Sequence, residues 1–159
     1  MNIEELLGLI LGDSKQIAEA ISAGAGWEIW MQIEMVSILR AAGMQVAREI
    51  HYPEPFEALS VDLVASKEGT SYAIELKCET GGKSGKAGGK PILTALESDA
   101  AKITSFSIGP SAPKRWVVGI AYSAPSKKKF AAYADLHSNA AAYGESNSVG
   151  VIVLDADAL

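Results

Sequence analysis

Leu59-Ser-Val-Asp-Leu-Val-Ala-Ser-Lys-Glu-Gly69-Thr-Ser-Tyr-Ala-Ile-Glu-Leu-Lys-Cys-Glu79 is the stretch from which the rest of the chain is read. Two short apolar runs, 59–65 and 71–79, flank a polar turn at Gly69. Both are rich in residues that suit a pleated surface, so the stretch predicts a β-hairpin. Alternation along the second strand sends Tyr72, Ile74, Leu76 and Cys78 to one face and Ala73, Glu75 and Lys77 to the other. With the loop at 67–70, Ser66 pairs with Ser71 and Asp62 falls opposite Glu75.

Like charges directly opposed across two strands destabilise the pair. Two carboxylates in a partly buried site must hold a proton, meet a cation or cost stability. A divalent metal removes the conflict, and carboxylate oxygens suit Mg2+ or Mn2+. Lys77 stands roughly 7 Å from Glu75 on the same face, placed to meet a water or a phosphate beside the metal.

An acid on one strand followed by Glu-x-Lys on the next resembles the PD-(D/E)XK nuclease superfamily, with its restriction-endonuclease-like fold. Asp62, Glu75 and Lys77 match the first acid, the second acid and the lysine; Val61 stands in place of the proline, which does no chemistry. The resemblance covers roughly residues 27–154. It implies a metal-dependent nuclease that hydrolyses phosphodiester bonds, with DNA as substrate by analogy of fold alone. It also implies that Asp62, Glu75 and the Leu76 backbone carbonyl bind Mg2+ or Mn2+, and that Lys77 orients the water or neutralises the pentacovalent phosphate. Many members act as dimers, so a homodimer is a further expectation. The alternative is a relative of the same fold that has lost catalysis and binds nucleic acid or serves as a scaffold. A third reading is a small-molecule or structural α/β domain in which Glu75 and Lys77 merely pair.

The superfamily often carries an acid on the helix before the sheet that reaches the metal or its waters. Residues 27–42 predict that helix, ended by Gly43 and apolar nearly all round, so it is expected to be largely buried. Glu34 is the carboxylate out of place among those apolar residues and is taken as that acid, holding a second metal or one of its waters; Glu28 is the second candidate. Upstream, residues 3–11 and 14–22 predict two short helices, closed by Gly24-Ala25-Gly26. These form an N-terminal extension, residues 1–26, packed on the core or on another subunit.

Residues 45–52 predict the first strand, ended by Pro53 and Pro55. After the hairpin, residues 80–90 form a glycine-rich basic loop that overhangs the proposed site. Its spacing rejects a phosphate-binding P-loop: the position where that motif needs its first glycine holds Lys77. Lys83, Lys86 and Lys90, with Lys102 on the following helix, are candidate contacts to a nucleic-acid backbone. That helix is predicted over 91–106, with Asp99 and Lys102 one turn apart, Asp99 read as an ordinary surface ion pair. A buried strand follows at 115–123, an alanine-rich helix from Lys127 to Tyr143, and a last strand at 149–154.

The expected fold is therefore α/β, with a restriction-endonuclease-like core. A mixed central sheet of about five strands is flanked by helices in the order α-βββ-α-β-α-β, behind a short helical extension. A length of 159 residues suits one domain, and 48% apolar with 21% charged residues suits a packed core. The lone Cys78 excludes an internal disulfide, and with two distant histidines it cannot make a zinc site of the usual spacing. No apolar run approaches a membrane span, and the N-terminus lacks the basic start of a secretory signal, so a cytoplasmic protein is expected, with delivery into another cell as a toxin left open. The net charge of −5 divides unevenly, −8 over residues 1–79 and +3 over residues 80–159, which gathers positive charge beside the proposed site.

Overall fold

The hairpin forms in the expected register. In the computed structural model, which describes residues 1–24, 27–80, 86–87, 90–108 and 112–159, with Lys86 described in its backbone alone, Ser66 pairs with Ser71 and Leu63 with Ile74. The turn is tighter than the four-residue loop expected, because Lys67 and Thr70 still pair. Only Glu68 and Gly69 lie between them, at φ 51° and 78°. Two successive left-handed residues match the right-handed twist of the flanking strands, and glycine takes the second at no steric cost.

In chain order the elements are α1 (Ile3–Gly12), α2 (Ser14–Ala23), α3 (Trp27–Ala41), β1 (Gln45–His51), β2 (Ser60–Lys67), β3 (Thr70–Cys78), β4 (Lys86–Ala87), β5 (Lys90–Pro91), α4 (Ile92–Ile103), β6 (Lys114–Ala121), α5 (Ala124–Leu136), β7 (Ala141–Ser146) and β8 (Val149–Asp155). Six strands make one mixed sheet, ordered β1-β2-β3-β6-β8-β7. Among the described strands only β3 and β6 run parallel, and α4 lies in the connection between them. A parallel pair needs such a crossover, and the crossover helix covers one face of the sheet.

The sheet is covered on both sides. One apolar layer joins Leu6, Ile10, Ile17, Met31 and Met35 of α1–α3 to Leu63, Ile74, Leu76, Val118 and Val151 of the strands. The other joins Leu96, Ile103 and Phe130 of α4 and α5 to Ala73, Val117, Ile152 and Leu154. The N-terminal helices therefore pack on the core, α1 against β7 and β8.

Three expectations are corrected. Helix α3 is buried on one stripe only, Trp27, Met31, Met35 and Leu39, while Ile29 is 63% and Ile33 51% exposed. The alanine-rich stretch expected to stay helical to Tyr143 instead ends at Leu136, and residues 141–146 form the edge strand β7. That strand turns into β8 through Asn147 and Ser148, both at positive φ, a second tight hairpin. Within the basic 80–90 loop, Lys86–Ala87 pairs with Lys90–Pro91 and Ala87 is buried, so part of it is a small two-stranded ladder. Of the expected helix ending at Gly24-Ala25-Gly26, Ala25 and Gly26 lie outside the described residues.

Candidate functional site

Pairing between β2 and β3 stops at Leu63↔Ile74, although β2 continues to pair with β1 as far as Ser60. Beyond that rung the two strands part. The amides of Leu76 and Cys78 face the opened seam, where no β2 carbonyl meets them. Each is taken by a carboxylate instead. Leu76 donates its N–H to Oδ2 of Asp62 at 2.7 Å, and Cys78 donates to Oε2 of Glu28 at 3.3 Å. The Leu76 carbonyl projects from the same strand edge as its amide.

Asp62 reaches the seam because side-chain alternation breaks around it. Val61 joins the α4 side of the core and Leu63 the α3 side, although two residues apart they belong on one face. The partner strand is irregular at the same level, where Glu49 sits at φ 53° between the paired residues Arg48 and Ile50. Asp62 therefore does not stand square across from Glu75 as expected. Its other oxygen accepts from Gln32 Nε2 at 3.1 Å, and Gln32 Oε1 accepts from Arg48 at 2.8 Å. An Arg48–Gln32–Asp62 relay fixes the carboxylate from the α3 side.

Glu75 and Lys77 lie on the α4 face of β3, as alternation predicts. The Glu75 side chain is 3% exposed, and the Lys102 ammonium approaches its Oε1 at 2.7 Å. This nearly buried carboxylate is therefore charge-compensated by an ammonium within hydrogen-bonding distance. Lys77 Nζ stands 3.3 Å from Oδ2 of Asp99, and Lys102 stands 3.7 Å from Oδ1 of the same residue. Asp99 is thus a half-buried bridge between two lysines, and Lys102 is tied to two carboxylates. Helix α4 comes this close because Gly119, paired with Lys77 on β6, leaves room: a Cβ there would stand 2.6 Å from Leu96 Cδ1.

Burial pushes the Glu75 carboxyl up to about 7, against the opposing pull of Lys102, while Asp62 and Asp99 add to the rise. Burial also raises Glu28, which Lys77 partly offsets. Desolvation lowers Lys77, but Asp99 and Glu28 outweigh it and the ammonium is held more firmly than usual. Lys102 is raised in the same way: Glu75 outweighs its desolvation. Asp62 and Asp99 act on Glu75, Glu28, Lys77 and Lys102 alike, which ties these groups into one electrostatic cluster.

Glu34 does not join that cluster. Taking the buried α3 stripe at Met31 as reference and about 100° per residue, Glu28 and Gln32 lie on one flank and Glu34 on the other. Glu34 faces Asp13, and burial with that neighbouring carboxylate raises it. The acid that α3 delivers to the seam is Glu28, seated by the Trp27 Nε1 hydrogen bond to the Glu79 carbonyl at 3.1 Å. Lys83 and the Lys86 side chain lie outside the described residues, and Lys90 is exposed. Lys102 is engaged with acids rather than free on a rim.

Gln32 and Arg48 carried no sequence signal, since a glutamine and an arginine at those spacings are ordinary surface residues. Among the described residues no three His, Cys, Asp or Glu side chains are grouped closely enough to hold a metal ion. The acids are held apart by the amide, glutamine and ammonium partners just named. Mg2+ can be bound through one or two carboxylates, with waters and substrate phosphate completing its shell, so Asp62 and Glu75 are the acids that could engage one. Oε1 of Glu75, now 2.7 Å from the Lys102 ammonium, is the oxygen for which such a cation would compete.

No protein-family model, curated protein or solved structure matches the chain. Among the described residues no helix is long and apolar enough to cross a membrane.

Proposed function

We propose that the protein is a metal-dependent nuclease with a restriction-endonuclease-like core, hydrolysing phosphodiester bonds, with DNA the favoured substrate. One observation carries this reading. Asp62 acts electrostatically on both Glu75 and Lys77 beside the seam between β2 and β3, and Glu75 is a deeply buried carboxylate whose charge is met by the Lys102 ammonium. A fold that needed only stability would place an apolar residue there.

Asp62, Glu75 and the Leu76 carbonyl would hold Mg2+ or Mn2+, with Glu28 in the role first assigned to Glu34. The ion would supply Lewis acidity toward a phosphoryl oxygen and a lowered pKa for a nearby water. Lys77, kept cationic by Asp99, would stabilise charge developing on the phosphate. Lys102, once released from Glu75, and the basic 83–90 segment would neutralise backbone phosphates. A homodimer and a cytoplasmic site of action belong to the same reading.

The test is incubation of wild type, Asp62→Ala and Lys77→Ala with single- and double-stranded DNA and RNA plus Mg2+ or Mn2+. Cleavage by wild type alone is expected. Equal cleavage by all three proteins would place the active centre elsewhere.

A second reading has its own support: every acid of the cluster already meets a cation, an amide or a glutamine. A relative that binds nucleic acid or serves as a scaffold without catalysis would look self-satisfied in this way. Calorimetry separates the two, since that relative takes up neither Mg2+ nor Mn2+.

A further inference from the structure

Lys102 is held by Glu75 and Asp99, so a nucleic-acid backbone would have to compete for it. Lys128 and Lys129 of α5 are under no such constraint. Both are exposed, and neither has an ion pair or side-chain hydrogen bond among the described residues, whereas Lys127 beside them is tied to Glu145 and the Ser148 carbonyl. The first turn of α5 holds no acid. Positive charge near a helix N-terminus opposes the macrodipole, so helix stability does not account for three successive lysines there.

The topology brings this pair to the end of the sheet where the β2–β3 seam opens. Strands β3 and β6 run parallel and end together, with Cys78 paired to Ile120. Glu79, the next residue after β3, is fully buried and locks the start of α5 to that end. Its carboxylate accepts from the amides of Tyr122 and Ser123, both at 2.9 Å, and from the hydroxyls of Ser123 and Ser126. Tyr122 Oη donates to the Thr80 carbonyl at 3.1 Å, which ties the first residue of the basic 80–90 stretch to the same corner. Every Cα–Cβ bond of a helix tilts toward its N-terminus, so those of Lys128 and Lys129 tilt toward this corner. Glu79 opposes an anion there only weakly, because its charge is buried and engaged by four donors.

We propose that Lys128 and Lys129 contact the phosphates of a bound nucleic acid as it leaves the seam and crosses the start of α5. This rests on the nucleic-acid reading above and needs no metal: it holds for a protein that cleaves and for one that only binds. A lysine that neutralises a phosphate releases condensed counterions, so log affinity falls against log salt with a slope of about 0.9 per contact on duplex DNA.

The test measures binding of a labelled DNA duplex, and of its single strand, to the full chain by fluorescence anisotropy in chelator across a salt series. Wild type is compared with Lys128→Ala/Lys129→Ala, with Lys128→Arg/Lys129→Arg, and with Lys15→Ala, which removes an exposed lysine of α2 on the opposite face of the sheet. Alanine favours helix and both side chains are exposed, so the variants should fold as wild type does. The double alanine variant is expected to bind more weakly, with a slope on the duplex smaller by about 1.8. The arginine variant and Lys15→Ala should keep the wild-type slope. An unchanged slope in the double alanine variant, or an equal fall in Lys15→Ala, overturns the role of these two lysines alone. A wild type that binds neither form of DNA overturns the nucleic-acid reading, and this inference with it.

Discussion

The Leu76 amide donates to the Asp62 carboxylate at 2.7 Å, one step past the last rung of the β2–β3 ladder. A side chain thus completes a hydrogen bond that the neighbouring strand no longer supplies. The contact gives Asp62 a structural task alongside any chemical one, and substitutions separate the two. Asn keeps a carbonyl acceptor for the amide and removes the charge; Ala removes both. Asp62→Ala is expected to cost about 1–3 kcal/mol in urea denaturation through the stranded amide, and Asp62→Asn less than about 1 kcal/mol. Both should abolish cleavage and Mn2+ uptake. Activity retained in Asp62→Asn would reduce Asp62 to a strand-edge cap.

Glu28 and Glu34 make a paired experiment on one helix. Glu28 touches the Cys78 amide and feels Lys77, Asp62 and Asp99, whereas Glu34 feels Asp13. Glu28→Gln is expected to lower Mn2+ affinity or turnover at least several-fold, and Glu34→Gln to leave both unchanged. Glu34→Gln should instead relieve its crowding with Asp13 and leave stability equal or slightly higher at neutral pH. The reverse ranking in a side-by-side metal titration would return the helix acid to Glu34.

Glu75 sets a pH dependence whose sign follows from its environment. The folded carboxyl is raised to about 7, against 4.5 for the ordinary group, chiefly by burial. The folded state therefore binds this proton more tightly than the unfolded chain. The resulting stabilisation is present in full below about pH 4.5 and is lost as pH rises through about 7. Metal-free wild type should lose on the order of 2–3 kcal/mol relative to Glu75→Gln between pH 5 and pH 8. Saturating Mg2+ should recover much of that loss at the alkaline end, because ligation needs the carboxylate. Denaturation curves for the two proteins that stay parallel across this range would show that Glu75 keeps its ordinary acidity.

The hairpin register was legible because two independent signals agree there: two-residue periodicity and Gly69 at the turn. The faces of Glu75 and Lys77 followed at once. Asp62 was misplaced by a local event, the break in alternation between Val61 and Leu63, which no pattern of residue types encodes. Glu34 was preferred to Glu28 because α3 is apolar nearly all round, so its buried stripe could not be told from its exposed Ile29 and Ile33. Strand β7 was lost inside a helix expectation because Ala140, Ala141 and Ala142 favour helix by propensity, and tertiary pairing with β8 overrode it. Asp99 was taken for a surface partner of Lys102, since only the approach of α4 to β3 makes it a bridge to Lys77.

That approach depends on Gly119. It pairs with Lys77 in the centre of the sheet, and a Cβ there would meet Leu96 Cδ1 at 2.6 Å, Ile152 Cγ2 at 2.8 Å and Phe130 Cζ at 3.0 Å. Packing from α4, α5 and β8 thus converges on the space that glycine leaves open. Gly119→Ala must push α4 outward or force Leu96 from its rotamer, a strain of about 1–3 kcal/mol. The same displacement would carry Asp99 and Lys102 away from Lys77 and Glu75. Loss of thermal stability should therefore be accompanied by a changed Mn2+ affinity, because the ammonium that competes for Glu75 has moved. A Gly119→Ala protein that loses stability but binds Mn2+ as wild type does would show that the cation site is insensitive to the position of α4.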